Sequence, residues 1–228
     1  VLVAPNGTIT AGSPIPCTVT SIGTLDPAIA AGTTTFLTVW QSYESATQFD
    51  VSGVRVAFDG TVLDDTGIPI GVTALGSESK PAVSFDGSSF TVAWRQTDPS
   101  PGPIVIGYSR VSEDGDVVDP GKVFATSQSG SAPSMTFDGF ATLVAWDYQV
   151  SPDRITGFWL APDGQASDLT ELWSGPSVGA HALASTGDGR SLLAYEAYVP
   201  SEFSTRIRGR FASLESNLAG GAPCYLGS

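Results

Sequence analysis

The sequence predicts an all-β protein built from four or five repeats, each a four-stranded antiparallel sheet of about fifty residues. Three observations predict it. Aromatic residues recur at a nearly fixed interval: Trp40, Trp94, Trp146 and Tyr195 end the runs "FLTVW", "FTVAW", "TLVAW" and "SLLAY", at spacings of 54, 52 and 49 residues. Asp-Gly pairs recur between apolar runs, at Asp59-Gly60, Asp86-Gly87, Asp114-Gly115, Asp138-Gly139 and Asp163-Gly164. The runs themselves are β-branched and aromatic, too short for helices and bounded by turn residues.

Each unit opens with an inner strand of small residues. These begin "DPAIAAG" at Asp26, "KPAVSFDG" at Lys80, "APSMTFDG" at Ala132 and "AHALASTGDG" at Ala180. Ala28, Ala30, Ala82, Ser84, Ser134, Thr136, Ala182 and Ala184 suit a crowded strand near a central axis. The second strand carries the repeated aromatic, placed to pack between neighbouring sheets. The third and fourth strands come from "GVRVAFDGTVLD", "GYSRVSEDGDVVD", "GFWLAPDGQASD" and "GRFASLESNLAG". Asp-Gly supplies the positive φ angles of tight type I′ hairpins, so each pair of strands is expected to turn there. The N-terminal "VLVAPNGTITAG" matches the same second half, with Asn6-Gly7 at its turn.

One such meander cannot bury both its faces. Stacking meanders around an axis buries each against the next, which is the β-propeller solution. The expected division is a single domain over 1–228, with units at 21–72, 73–126, 127–175 and 176–228 after a partial unit at 1–20. Four first halves and five second halves leave three arrangements open. They are four blades with an extra hairpin, five blades with one incomplete, and a ring completed by another chain, in which case self-association is expected. Cys17 and Cys224 occupy equivalent places in the first and last units, and a disulfide between them is expected to seal the ring.

The pattern "PAVSFDGSSFTVAW" followed by Gly-x-Arg-Val and a second Asp-Gly hairpin resembles the tandem propeller repeats of secreted bacterial proteins. More distantly it is similar to sugar-binding propeller lectins of the tachylectin-2 kind, which have five blades. The resemblance implies a propeller, an extracellular or cell-surface location and carbohydrate recognition. No sugar-contact motif of those lectins aligns with this chain.

Composition narrows the partners. The net charge is −13, from 23 acids and 10 bases, and the only lysines are Lys80 and Lys122. Phosphate backbones need clustered Lys and Arg, which excludes nucleic acid as an expected partner. No apolar run of about eighteen residues is present, so membrane insertion by a helix is not expected. The N-terminus lacks the charged and apolar regions of a signal peptide, consistent with a mature or trimmed form.

Several residues could carry chemistry. Asp65-Thr66-Gly67 matches the signature of aspartic proteases, where two carboxylates share one proton. In the repeat it falls on an exit turn, and no second copy exists in the chain to form a dyad. His181 stands at an inner-strand start where other units have Pro27, Pro81 and Pro133, and is a candidate contact or acid–base residue. Asp26 starts the first inner strand; its equivalents are Lys80, Ala132 and Ala180. Tyr43, Tyr148, Trp159 and Tyr198 break the repeat and are candidates to stack on sugar rings. Glu113, Asp114, Asp116 and Asp119 in "SEDGDVVD" offer hard oxygen ligands for Ca²⁺, although a hairpin also accounts for Asp114. No other cofactor is expected, since one histidine and two cysteines make no zinc site.

The leading expectation is a non-catalytic recognition or adhesion module, binding carbohydrate or a cell-surface protein through loops at one end of the ring. The alternative is a glycosidase-like or metal-assisted hydrolase with carboxylates in the central channel. There Asp147 and Glu196, which follow the second-strand aromatics, join Asp26 as acids to consider. A third expectation is a structural module of a larger surface protein.

Overall fold

The computed structural model describes residues 2–3, 9–10, 15–17, 23–45, 48–71, 76–97, 104–124, 132–148 and 151–214. Every named element among them is a strand, and no helix is long and apolar enough to cross a membrane. An N-terminal pair of strands, β1 (Leu2–Val3) and β2 (Ile9–Thr10), forms its own two-stranded sheet among the described residues. The first sheet holds β3 (Thr24–Ala31), β4 (Thr35–Ser45), β5 (Gln48–Ala57) and β6 (Ile68–Pro69) in chain order. The second holds β7 (Ser77–Phe85), β8 (Ser89–Thr97), β9 (Ile104–Ser112) and β10 (Lys122–Phe124). The third holds β11 (Ser134–Phe137), β12 (Thr142–Tyr148), β13 (Asp153–Leu160) and β14 (Thr170–Gly175). The fourth has β15 (Val178–Ser185), β16 (Ser191–Val199) and β17 (Ser204–Ala212), and the outer strand expected for this unit lies outside the described residues. All pairings are antiparallel meanders, so the fold is the expected all-β propeller.

The turns differ in type from the expectation. In the second and third sheets the inner hairpin turns on Gly87-Ser88 and Gly139-Phe140, with φ of 93° and 99° at the glycines only. Asp86 and Asp138 stand just before the turn, not within it. Their Oδ1 atoms accept the N–H groups of Ser88 and Ser89, and of Phe140 and Ala141, at 2.8–2.9 Å. A carboxylate that satisfies two turn amides removes the need for a second positive φ. The outer hairpins are three-residue loops, closed by Ala57 N–H to Thr61 O, Ser112 N–H to Asp116 O and Ala161 N–H to Gln165 O. Gly60, Gly115 and Gly164 take the left-handed position. Asp65-Thr66-Gly67 is indeed an exit turn, closed by Gly67 N–H to Asp64 O.

The first unit has Gly32 where the second and third have aspartate, and its turn amides are satisfied from the neighbouring sheet. Glu113, beyond β9, accepts the N–H of Thr33 at 2.6 Å and of Thr34 at 3.0 Å. A Cβ at position 32 would collide with that carboxylate, so the glycine makes room for it.

The seams between sheets follow one rule. Trp94 faces back toward the first sheet, among Leu37, Val39, Val51 and Ile70. Trp146 faces back toward Ala93, Ile106 and Tyr108 of the second sheet. Tyr195 faces back toward Leu143, Ala145, Ile155 and Trp159 of the third. Each sheet thus turns its repeated second-strand aromatic toward its predecessor and receives its successor's on a face that mixes aliphatic side chains with Tyr108 or Trp159. Trp40 obeys the same rule: with Val54 and Val56 it packs on Cys17 of the N-terminal segment. Cys224 lies outside the described residues, as does its expected bond to Cys17.

Polar ties cross the same seams. Glu78 Oε2 accepts the Val51 N–H at 3.1 Å, Asp153 Oδ2 accepts the Val178 N–H at 3.2 Å, and Ser109 Oγ donates to Ile70 O at 3.1 Å. Arg55 Nη1 donates to Glu113 O at 2.8 Å, and Arg110 Nη1 donates to Pro162 O one seam further on. These satisfy buried polar groups that stacking would otherwise orphan.

Candidate functional site

The inner strands of the first, second and fourth sheets begin with a β-bulge. Their pairing slips between Leu25 and Ala28, between Ser79 and Ala82, and between Val178 and His181. Pro27 and Pro81 sit in the first two slips and can donate nothing to a ladder. The residues before them, Asp26 and Lys80, have φ of 51° and 57°. Non-glycine residues held there cost on the order of 1–3 kcal/mol and persist only where the surroundings fix them. Gln41 Oε1 on the first sheet accepts the Lys80 N–H at 3.0 Å, and Lys80 Nζ meets Asp26 Oδ1 at 3.0 Å. Two strained residues of adjacent sheets therefore meet as an ion pair at one end of the inner strands.

The other expected site residues divide into two sets. Tyr43, Tyr148 and Tyr198 are half-buried near the ends of the second strands, at the end where the inner strands start. Tyr43 lies against Phe49 with ring centroids 4.3 Å apart. His181 is half-buried beside the fourth bulge, its Nε2 3.2 Å from Ala145 O on the third sheet. It lines a hollow of about 200 Å³ with Ala180, Ala194, Glu196 and Ile207. Trp159 does not belong there: at 2% exposure it is part of the core between the third and fourth sheets, where no sugar reaches it.

The four acids of "SEDGDVVD" are also placed apart in role. Glu113 caps the turn of the first sheet, and Asp119 Oδ2 holds Arg110 Nε at 2.6 Å while its Oδ1 holds Lys122 Nζ at 3.0 Å. Asp64 holds Arg55 in the same way one unit earlier, at 2.7 Å. Among the described residues, no group of three or more His, Cys, Asp or Glu is arranged to hold a metal ion.

Burial pushes the Asp119 carboxyl up, but hydrogen bonds and charge from Arg110 and Lys122 outweigh it, so its pKa is lowered. A carboxylate depressed by folding contributes stability that is present above its unfolded pKa of about 3.9 and lost as pH falls through the folded value. Asp119→Asn is expected to lower stability at neutral pH and to flatten the acid limb of a urea-denaturation series below about pH 4. An unchanged acid limb would show that the pair does not form.

No protein-family model matches the chain, and no curated protein matches it by sequence. Solved structures do match. The α-L-arabinanase of Penicillium chrysogenum, complexed with arabinobiose, superposes with a TM-score of 0.58 at 14% identity, over 89% of this chain and 66% of that one. The α-L-arabinofuranosidase of Lactobacillus brevis gives 0.54 at 10% identity, over 88% and 74%. The endo-arabinase of Bacteroides thetaiotaomicron gives 0.53 at 15% identity, over 95% and 85%. At these identities the likeness establishes the propeller fold. It also corrects two expectations: the neighbours are glycoside-cleaving enzymes, not lectins of the tachylectin kind, and they do not favour a non-catalytic recognition module.

Sequence reasoning ranked Asp26 as a contact and missed Lys80 and Gln41. The signal was present: opposite charges before proline at equivalent positions of adjacent units.

Proposed function

We propose that the chain is a glycosidase-like propeller acting on arabinose-containing glycans, with its reaction centre at the end where the inner strands begin. The observation that carries this is Asp26. It is a carboxylate held at positive φ on a bulge and fixed by Lys80 of the next sheet, on a fold shared with arabinanases. Backbone strain of this kind gathers at functional sites, where geometry is held against local preference. Glycoside cleavage needs two carboxyl groups, one to protonate the leaving oxygen and one to act on the sugar or on water. Asp26 supplies one of them, held in place by the contact with Lys80. Glu196, half-buried in the hollow beside His181, is the carboxyl offered as its partner, whereas Asp147 at the matching position of the third sheet is buried. The half-buried Tyr43, Tyr148 and Tyr198 at the same end offer faces for sugar rings.

The test is release of reducing sugar from arabinan and of phenol from aryl α-L-arabinofuranosides. Asp26→Asn is expected to lower kcat by at least about 100-fold, the usual scale for an acid–base carboxylate. No turnover by the native chain, or an Asp26→Asn variant of full activity, would overturn the reading.

A further inference from the structure

Among the described residues, the seam rule leaves one place unfilled. The outer face of the fourth sheet points where a fifth sheet would stand. Ile207 there is 66% exposed, whereas its repeat equivalents Val51 and Ile155 are fully buried. Phe211 is 52% exposed on the same face, with Arg190 over its ring. Ala182 and Ala184 on β15 are exposed beside them. Across the gap, Ile29 on the inner strand of the first sheet is 63% exposed, while its equivalents Val83, Met135 and Leu183 pack between sheets. In a closed ring these two walls would face one slot. The second half of a fifth unit is already in the chain: the N-terminal stretch carries that pattern, and among the described residues β1 and β2 form a sheet of their own.

We propose that this slot binds a β-hairpin of the repeat's own first-half type: small residues on one strand, an Asp-Gly turn, and a tryptophan on the other strand. The tryptophan would lie on Ile207 and Phe211, as Trp94 lies on Val51 of the first sheet. The opposite side of the hairpin would cover Ile29. A second copy of the chain does not meet this need, because its aromatic faces are spent: Trp40, Trp94, Trp146 and Tyr195 are 4%, 0%, 0% and 4% exposed. Ile207 also borders the hollow beside His181 and Glu196, but the inference is tested by peptide binding, a readout that does not depend on turnover.

The probe is a synthetic peptide of residues 79–97, "SKPAVSFDGSSFTVAWRQT". Calorimetry is expected to show saturable one-to-one binding to the intact chain, with a raised melting temperature. Ile207→Asp and Ile29→Asp are each expected to weaken it at least 10-fold. Phe140→Asp, at a 70% exposed residue on the third sheet, is expected to leave it unchanged. A peptide with alanine in place of Trp94 is expected to bind at least 10-fold more weakly. Absence of binding, or binding that ignores both slot variants, would overturn the proposal. So would a dimer that Ile207→Asp dissolves, because a second copy would then fill the slot. In Ile207→Cys, slow thiol labelling would overturn it too, by showing that the chain covers this face itself.

Discussion

Replacing Trp146 by alanine is expected to cost about 3–5 kcal/mol, a large share of the roughly 5–15 kcal/mol that holds a domain folded. The indole is fully buried between the second and third sheets. Its ring stands edge-on to Phe158 at 6.1 Å, and Phe158 in turn meets Tyr108 of the second sheet at 5.7 Å. Truncation removes the centre of that seam and leaves a cavity that two hydrogen-bonded sheets cannot collapse to fill. Urea denaturation reads the loss. Phe140→Ala, at an exposed aromatic on the adjoining hairpin, is the control and is expected to stay within about 0.5 kcal/mol. A Trp146→Ala loss as small as the control's would mean that the two sheets are not packed through this residue.

The second large effect is expected at a hairpin. Gly139 and Gly87 occupy equivalent turns with φ of 99° and 93°. A Cβ at Gly87 meets nothing within 4 Å, so Gly87→Ala carries only the conformational cost, about 1–2 kcal/mol. A Cβ at Gly139 would collide with the Gly187 carbonyl oxygen on the fourth sheet, beside the Gly189 N–H to Asp138 O bond of 2.6 Å. Forced overpacking adds about 1–3 kcal/mol, and here the obstacle is backbone, which cannot swing aside. Gly139→Ala is therefore expected to be the more damaging by at least about 1 kcal/mol in thermal unfolding. Equal shifts for the two variants would show that the third and fourth hairpins do not touch.

The repeat was legible because it is written in local chemistry. Asp-Gly marked the hairpins, alternation marked the strands, and Trp40, Trp94, Trp146 and Tyr195 marked the seams. What the repeat hid was which side chain serves which neighbour. Asp86 and Asp138 read as turn-forming residues, yet they act as acceptors beside the turn. Glu113 read as a calcium ligand, yet it completes a turn of the preceding sheet that lacks its own aspartate. Trp159 read as a surface aromatic because it departs from the repeat, but a departure can equally fill a core. Such partnerships join residues eighty positions apart, as Thr33 and Glu113 are, and no local pattern announces them. The function was least legible of all, because a scaffold records how it stands and not what it cuts.

Because each repeated aromatic faces only its predecessor, the assembly has a head and a tail. Every junction joins unlike surfaces, which is head-to-tail association within one polypeptide. Such junctions close into a circle when the rotation per step divides it evenly, and otherwise wind on without end. They also isolate change. Each side chain answers to one neighbour only, so tyrosine could replace tryptophan at Tyr195, and histidine could replace proline at His181, with just the third sheet to accommodate them. A chain copied from one ancestral unit can in this way let its units diverge separately without losing the stack.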